Sequence, residues 1–350
     1  MRRIPVEGPL CNRGVCVEAM AEYGSDRMGM VWAFEFPEGG AGEMVDPLGN
    51  GTASYRQRDG RFSWFHLSLT SSAAETWMRG TLGLPEAFFG AIHDSSASTR
   101  IEQDGDSLVA VIHDVVFDFQ FDPEAVSTAF VCVRPDLLVT ARLRPLRSVD
   151  RLRERVRAGA KFDSPAHLLA SLFVDQAEAL ADISRQATLK VDRIEDTIPR
   201  GRLARNREEL GSLRRVLTRI QRLLAPEPSA FFRLLNRPPS WMDSSVVQEL
   251  RQSAEEFSAA VADCAALAER IRLLQEEVAA RMNENLNRTL FILTVVTVLA
   301  LPVNMAAGLF GMNVGGIPFA ESRHGFLVVC TVLVLLTGVL AWISFRRRGD

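Results

Sequence analysis

In the last part of the chain the alternation of apolar and polar positions stops. No Asp, Glu, Lys or Arg occurs from Thr289 to Ala320, and none from His324 through Phe345. The runs TLFILTVVTVLALPVNMAAGLF (289–310) and GFLVVCTVLVLLTGVLAWISF (325–345) are 22 and 21 residues long, where about 20 suffice for a helix to cross a bilayer. The glycine- and proline-rich stretch LFGMNVGGIP (309–318) then falls in the loop of a membrane hairpin. Arg281 and Arg288 precede the first span and Arg346, Arg347 and Arg348 follow the second, whereas the loop holds only Arg323. That bias predicts both termini in the cytoplasm.

Upstream, the periodicity changes twice. Residues 1–163 mix short apolar segments with turns and read as a cytosolic α/β domain. RFSWFHLSL (61–69), SLVAVIHDVVFDFQFD (107–122), AFVCVRP (129–135) and DLLVTARL (136–143) are predicted strands, and 72–92 helical pieces broken by Gly and Pro. Residues 164–240 read as a helical hairpin, its first helix opened by Ser164 and Pro165. Between Trp241 and Pro302 there is no proline, so 241–310 is predicted to be one long helix passing into the membrane. The remainder divides into an external loop (311–324), a second span (325–345) and a basic tail (346–350).

On the long helix Leu250, Phe257, Cys264, Ile271 and Val278 recur every seven residues, with Ala260, Leu267 and Leu274 at the intervening offset. This is the pattern of a packing seam. The polar residues of the span follow a heptad of their own: Asn287, Thr294, Leu301 at one offset and Leu290, Thr297, Asn304 at the other. Continued toward the cytoplasm, it carries Asn283, Glu276 and Glu269. Polar groups inside a membrane face water or a partner helix. Threonine can satisfy itself on its own i−4 carbonyl, but a carboxamide cannot. Two helices cannot enclose an aqueous path, so that reading predicts several chains around an axis, an assembly to which the heptad seam is also assigned.

Composition adds exclusions. A net charge of −3 indicates no nucleic-acid partner. The basic start MRRIPVEGPL has no apolar region behind it, so no signal peptide is expected. Five cysteines without CxxC spacing suit a reducing compartment.

Pro302 inside the first span, AAGLFGMN (306–313) at its end, the short loop and the second span with its basic tail resemble the CorA superfamily of divalent-cation transporters. The continuation NVGGIP is similar to the zinc-associated ZntB branch, as is DLLVTARLRPLRSVDRLRERVRAG (136–159). The resemblance implies an α+β cytosolic domain followed by long helices and a two-helix transmembrane hairpin, assembled as a funnel-shaped homopentamer in a bacterial-type inner membrane. It implies no cofactor and no enzyme activity, with Zn²⁺ or another divalent cation as the transported substrate. Gly311, Met312 and Asn313 would form the selectivity loop, Asn313 supplying a ring of carboxamide oxygens and Gly311 the close backbone turn. Asn287, Leu290, Thr294, Thr297, Leu301 and Asn304 would line the pore, the two leucines as apolar constrictions. Asn283, Glu276 and Glu269 would stand at its cytosolic mouth, with Glu276 beside Asn313 as a metal-binding position. A transporter chiefly for Mg²⁺, Co²⁺ or Ni²⁺ and a membrane-tethered sensor remain as alternatives.

Other candidates have plainer readings beside the chemical one. Glu321 and His324 in the external loop could concentrate or meet cations, or be solvated. The dyads His93–Asp94 and His113–Asp114 resemble those of metal phosphohydrolases, yet are expected to be surface or capping residues. The arginine-rich run from Arg142 to Arg157 is expected to be a solvated helix face. At Glu269 the competing reading is an i+3 pair with Arg272.

Overall fold

The computed structural model describes residues 25–45, 60–94, 98–122, 124–201, 203–312 and 324–346. In chain order the elements are β1 (Met30–Pro37), β2 (Glu43–Met44), β3 (Arg61–Ser68), α1 (Ser72–Thr81), α2 (Glu86–His93), β4 (Arg100–Asp104), β5 (Ser107–Val115), β6 (Val126–Arg134) and β7 (Leu137–Arg142), followed by α3 (Arg147–Arg157), α4 (Pro165–Glu195), α5 (Leu203–Leu224), α6 (Pro226–Leu235), α7 (Ser244–Phe310) and α8 (Gly325–Arg346). The chain divides into two compact units, Met1–Gln275 and Glu276–Asp350.

In the first unit seven strands form one sheet in the order β2-β1-β3-β7-β6-β5-β4. All neighbours pair antiparallel except β3 and β7, which run parallel with Ser63 opposite Leu137 and Ser68 opposite Arg142. A parallel pair needs a crossover, here supplied by everything from α1 to β6. Both faces of the sheet are covered. Trp32, Phe34, Phe36, Trp64, Ile112 and Val131 pack with α3, α4, α6 and the start of α7. Ala33, Phe65, Val111, Phe130 and Val139 pack with α1 and α2 on the other side. The expected boundary between 163 and 164 therefore runs through a shared core.

The helix starts follow local chemistry. Ser164 caps α4 by accepting from the His167 amide at 3.1 Å, with Pro165 in the first turn, a position where its missing N–H costs nothing. Helix α6 is not predicted from the pattern: its first residue is Pro226, and APEPSA has the composition of loop punctuation. Strands β1, β2 and β4 are likewise not predicted. MVWAFEFP (30–37) is mostly apolar, as a strand covered on both faces must be, and so shows no period of two.

The heptad seam is present. Leu250, Phe257, Cys264, Ile271 and Val278 are at most 1% exposed, and Ala260, Leu267 and Leu274 are buried. Within the first unit this seam faces the chain's own helices: Arg270 on α7 pairs with Asp192 (2.8 Å) and Glu195 (2.6 Å) of α4, and Gln275 accepts from Arg214 of α5 at 3.2 Å. The seam is thus satisfied inside one chain, and does not argue for assembly as expected.

Candidate functional site in the membrane hairpin

Helix α7 runs without interruption from Ser244 through Pro302 to Phe310, and α8 follows from Gly325. Both are long and apolar enough to cross a membrane. At 3.6 residues per turn each residue advances about 100° around the axis. On that count Glu269, Glu276, Asn283, Asn287, Leu290, Thr294, Thr297, Leu301 and Asn304 fall within one arc of roughly 100°. On the same count the buried Cys264, Ile271 and Val278 fall outside that arc, roughly 40–80° beyond its nearer edge.

All nine residues of the stripe are exposed, Leu290 at 59% and Leu301 at 65%. The threonine hydroxyls donate to the helix itself, Thr294 to the Leu290 carbonyl and Thr297 to the Leu293 carbonyl, each at 2.8 Å. A hydroxyl that has spent its proton on the backbone keeps only acceptor lone pairs. It can then serve a cation or water, but gives no neighbour a donor. Asn287 and Asn304 make no side-chain hydrogen bond among the described residues. Thr289, off the stripe, also bonds its i−4 carbonyl, at Asn285 (2.9 Å).

At the membrane end of the stripe, Gly311 donates its amide to the Ala307 carbonyl at 2.9 Å. A Cβ added there would lie 2.8 Å from that same oxygen, so the turn accepts only glycine without movement. Met312 is exposed. Asn313 and Glu321 lie outside the described residues. His324 is exposed at the start of α8, and its carbonyl accepts from the Val328 amide at 3.1 Å.

Toward the other end, Glu269 is held by Arg272 at 2.6 Å, and that hydrogen bond keeps its carboxyl below the ordinary range. The i+3 pairing is thus present, and Arg272 falls on the same arc, a guanidinium among the acids, amides and hydroxyls of the predicted stripe. Glu276 is exposed. Among the described residues no three His, Cys, Asp or Glu side chains come together as a metal cluster.

The remaining candidates resolve into structural roles. His93 pairs with Glu75 at 3.1 Å and Asp94 with Arg100 at 3.2 Å, both at the surface. The second dyad is not at the surface as expected. The His113 amide donates to Glu227 Oε1 at 2.5 Å, Thr99 Oγ1 lies 3.1 Å from His113 Nδ1, and Gln176 Nε2 donates to the His113 carbonyl and to Glu227 Oε2 (3.1 Å). Glu227 is 0% exposed, and burial pushes its carboxyl up to about 7. Asp114 accepts from Ser148 N (2.9 Å), Ser148 Oγ (2.8 Å) and Val115 N (2.7 Å), and burial raises it to about 6. The arginine run is also only partly solvated. Arg142 is buried and donates Nε to His66 Nε2 at 2.8 Å; burial first, and then the charges of Arg142 and Arg153, keep His66 well below its ordinary value, and Arg153 is buried over Trp32.

The fold and the site together describe a membrane protein: a mixed α/β unit, a long helix that becomes the first span, and a second apolar span. The chain belongs to the family described as CorA-like Mg2+ transporter protein, whose model matches residues 59–347. It is 27% identical over 295 residues to the zinc transport protein ZntB of Pectobacterium atrosepticum, covering 81% of this chain and 87% of that one. It is 28% identical over 291 residues to the divalent cation transporter CmaX of Pseudomonas aeruginosa, covering 81% and 86%. The structure of full-length CmaX superposes with a TM-score of 0.76 at 24% identity, over 92% of this chain and 98% of that one.

Proposed function

We propose that this protein carries divalent metal cations across a membrane, Zn²⁺ foremost, along a path lined by the first span of several copies. The observation that carries the reading is the stripe on α7. Asn287 and Asn304 stand exposed on an apolar helix, with Thr294 and Thr297 between them offering acceptor oxygens. Carboxamides in hydrocarbon require water, a cation or another chain. One span per chain cannot surround a path, so copies must converge on an axis, five of them if the family resemblance extends to assembly.

In that assembly Asn313 forms a ring of neutral oxygens beyond the end of α7, held by the glycine turn at Gly311. Neutral oxygens suit a cation that keeps its inner hydration shell, because they replace outer-sphere water without stripping the inner waters. Leu290 and Leu301 form apolar constrictions, and Glu276 and Glu269 draw cations to the cytosolic mouth. Glu321 and His324 add their charge and imidazole to the external loop. Both termini lie in the cytoplasm on the arginine bias of the flanks. The zinc reading rests on the ZntB relatives and the NVGGIP loop. A magnesium-type selectivity is the second reading, favoured by the family's own description.

Purified protein in proteoliposomes decides between them. The expected result is Zn²⁺ uptake that exceeds uptake of Mg²⁺, Co²⁺ and Ni²⁺ at equal concentration. Uptake dominated by Mg²⁺ would favour the second reading, and uptake of none of the four would remove the transport proposal.

A further inference from the structure

The turn between α4 and α5 and the loop after β5 border a cavity of about 550 Å³ that is open to solvent, distant in sequence from every residue of the membrane stripe. Lys190, Arg193 and Arg205 line it against one carboxylate, Glu209, and that carboxylate is already engaged by Arg205 at 2.7 Å. The Lys190 ammonium lies 3.5 Å over the ring of Phe121. Burial and the neighbouring Arg193 hold it below the ordinary lysine range, as expected of a cation with no acid beside it. Arg193 donates its Nε to the Leu189 carbonyl at 3.0 Å. Asn206, 3% exposed, also lines the cavity. Its side-chain amide meets Thr197 Oγ1 at 3.2 Å, and because Thr197 already donates its proton to the Ile194 carbonyl at 2.7 Å, that hydroxyl accepts from the Asn206 amide.

Lys190 and Arg193 stand on one wall with only the already engaged Glu209 opposite, so the two cations repel each other. The backbone adds a second sign. Phe121 sits at φ 58, the one non-glycine residue at positive φ among those described, a conformation that recurs at ligand clamps. Its ring and the side chains of Ile194 and Leu213 give the cavity an apolar wall. The volume falls in the range of small-molecule pockets and exceeds the need of a bare ion.

We infer that this cavity binds a small organic oxyanion, phosphate- or carboxylate-bearing, between Lys190 and Arg193, with its apolar part against Phe121. The full-length protein in detergent, free of divalent metal, is titrated calorimetrically with inorganic phosphate, citrate and ATP at constant ionic strength. Saturable binding of at least one is expected. Arg193→Gln, at an exposed side chain, and Lys190→Met should each weaken it by about tenfold or more, the loss of one charge-assisted hydrogen bond. Arg222→Gln, on the same helix α5 but outside the cavity, should leave it unchanged. Binding of phosphate and ATP without citrate assigns a phosphate group, and binding of citrate alone a carboxylate. No saturable binding of any of the three, or an equal loss in Arg222→Gln, overturns the site.

Discussion

Two sets of polar side chains in this chain sit among apolar neighbours, and they differ in where their partners are. In the first unit, Glu227, His113, Gln176 and Thr99 answer one another across β5, α4, α6 and the segment before β4, and Asp114 takes three donors from Ser148 and Val115. On α7, Asn287 and Asn304 make no side-chain hydrogen bond among the described residues. Helix α8 is an internal control: Thr331 and Thr337 each donate to their i−4 carbonyls, at 2.8 and 2.7 Å, and the span carries no amide. A polar group satisfied within the chain holds a fold together. One that faces outward from an apolar helix points to something the chain itself does not supply.

Substitutions should therefore separate flux from stability, and the largest separation is expected at the end of the stripe. Asn313→Ala should lower cation flux by an order of magnitude or more while assembly, read by size-exclusion chromatography, is unchanged. Near-normal flux in the purified variant would break the selectivity-ring assignment.

The opposite case is Glu227. Its folded-state carboxyl titrates near 7 against an ordinary value of 4.5, so between those values the folded chain holds a proton that the unfolded chain has released. Stability then falls as pH rises from about 4.5 to 7, by on the order of a few kcal/mol, and is level above. Asp114 and Asp175, both raised to about 6 by burial, act in the same direction but finish earlier. Between pH 6 and 7 Glu227 acts with the last of Asp114 and Asp175 and against His66, whose lowered value makes stability rise as the unfolded imidazole loses its proton near 6.5, so its part is read by comparing the variant with the parent chain. Relative to the parent chain, Glu227→Gln should remove the falling contribution to the urea-unfolding midpoint over that interval and leave flux intact; a slope equal to the parent's would show that Glu227 does not titrate as its surroundings require.

A smaller effect is expected on the span itself. Asn304→Leu should cut flux roughly tenfold with no loss of thermal stability, whereas Thr337→Val on α8 should change flux less than twofold. Equal losses in the two would erase the distinction between the helices. The smallest effect is at Glu276. Its charge acts through the field, so Glu276→Gln should lower flux about two- to threefold at low ionic strength and progressively less as salt is added. Glu269→Gln should do less still, because Arg272 already neutralises that position.

These contrasts also explain what could be read from the chain alone. The spans, the uninterrupted long helix and both heptad patterns were legible because each depends on spacing within one element. The predicted strands at 61–69, 129–135 and 136–143 matched β3, β6 and β7 closely, while the one at 107–122 ends at Val115, where the chain enters the loop that carries Phe119 and Phe121. The burial of His113, Asp114, Arg142 and Arg153 was not legible, since their partners come from distant segments: Glu227 lies 114 residues from His113. One local signal for that partner was available, a proline followed by an acid at 226–227, which marks a helix start. The seam was legible as a seam, but not which helices cover it, because periodicity gives the face and not the neighbour.

The central claim, that the first span and not the second lines an aqueous path, is tested most directly by thiol accessibility. In a chain whose five native cysteines are replaced, Asn287→Cys, Thr294→Cys, Thr297→Cys and Asn304→Cys on α7 are compared with Thr331→Cys, Thr337→Cys and Ala341→Cys on α8, using a charged, membrane-impermeant thiol reagent on protein in vesicles. A thiol reacts as thiolate and needs water to ionise. The α7 set should label roughly an order of magnitude faster than the α8 set, and Zn²⁺ should slow it. Equal rates on both helices, or faster labelling of α8, would contradict the account.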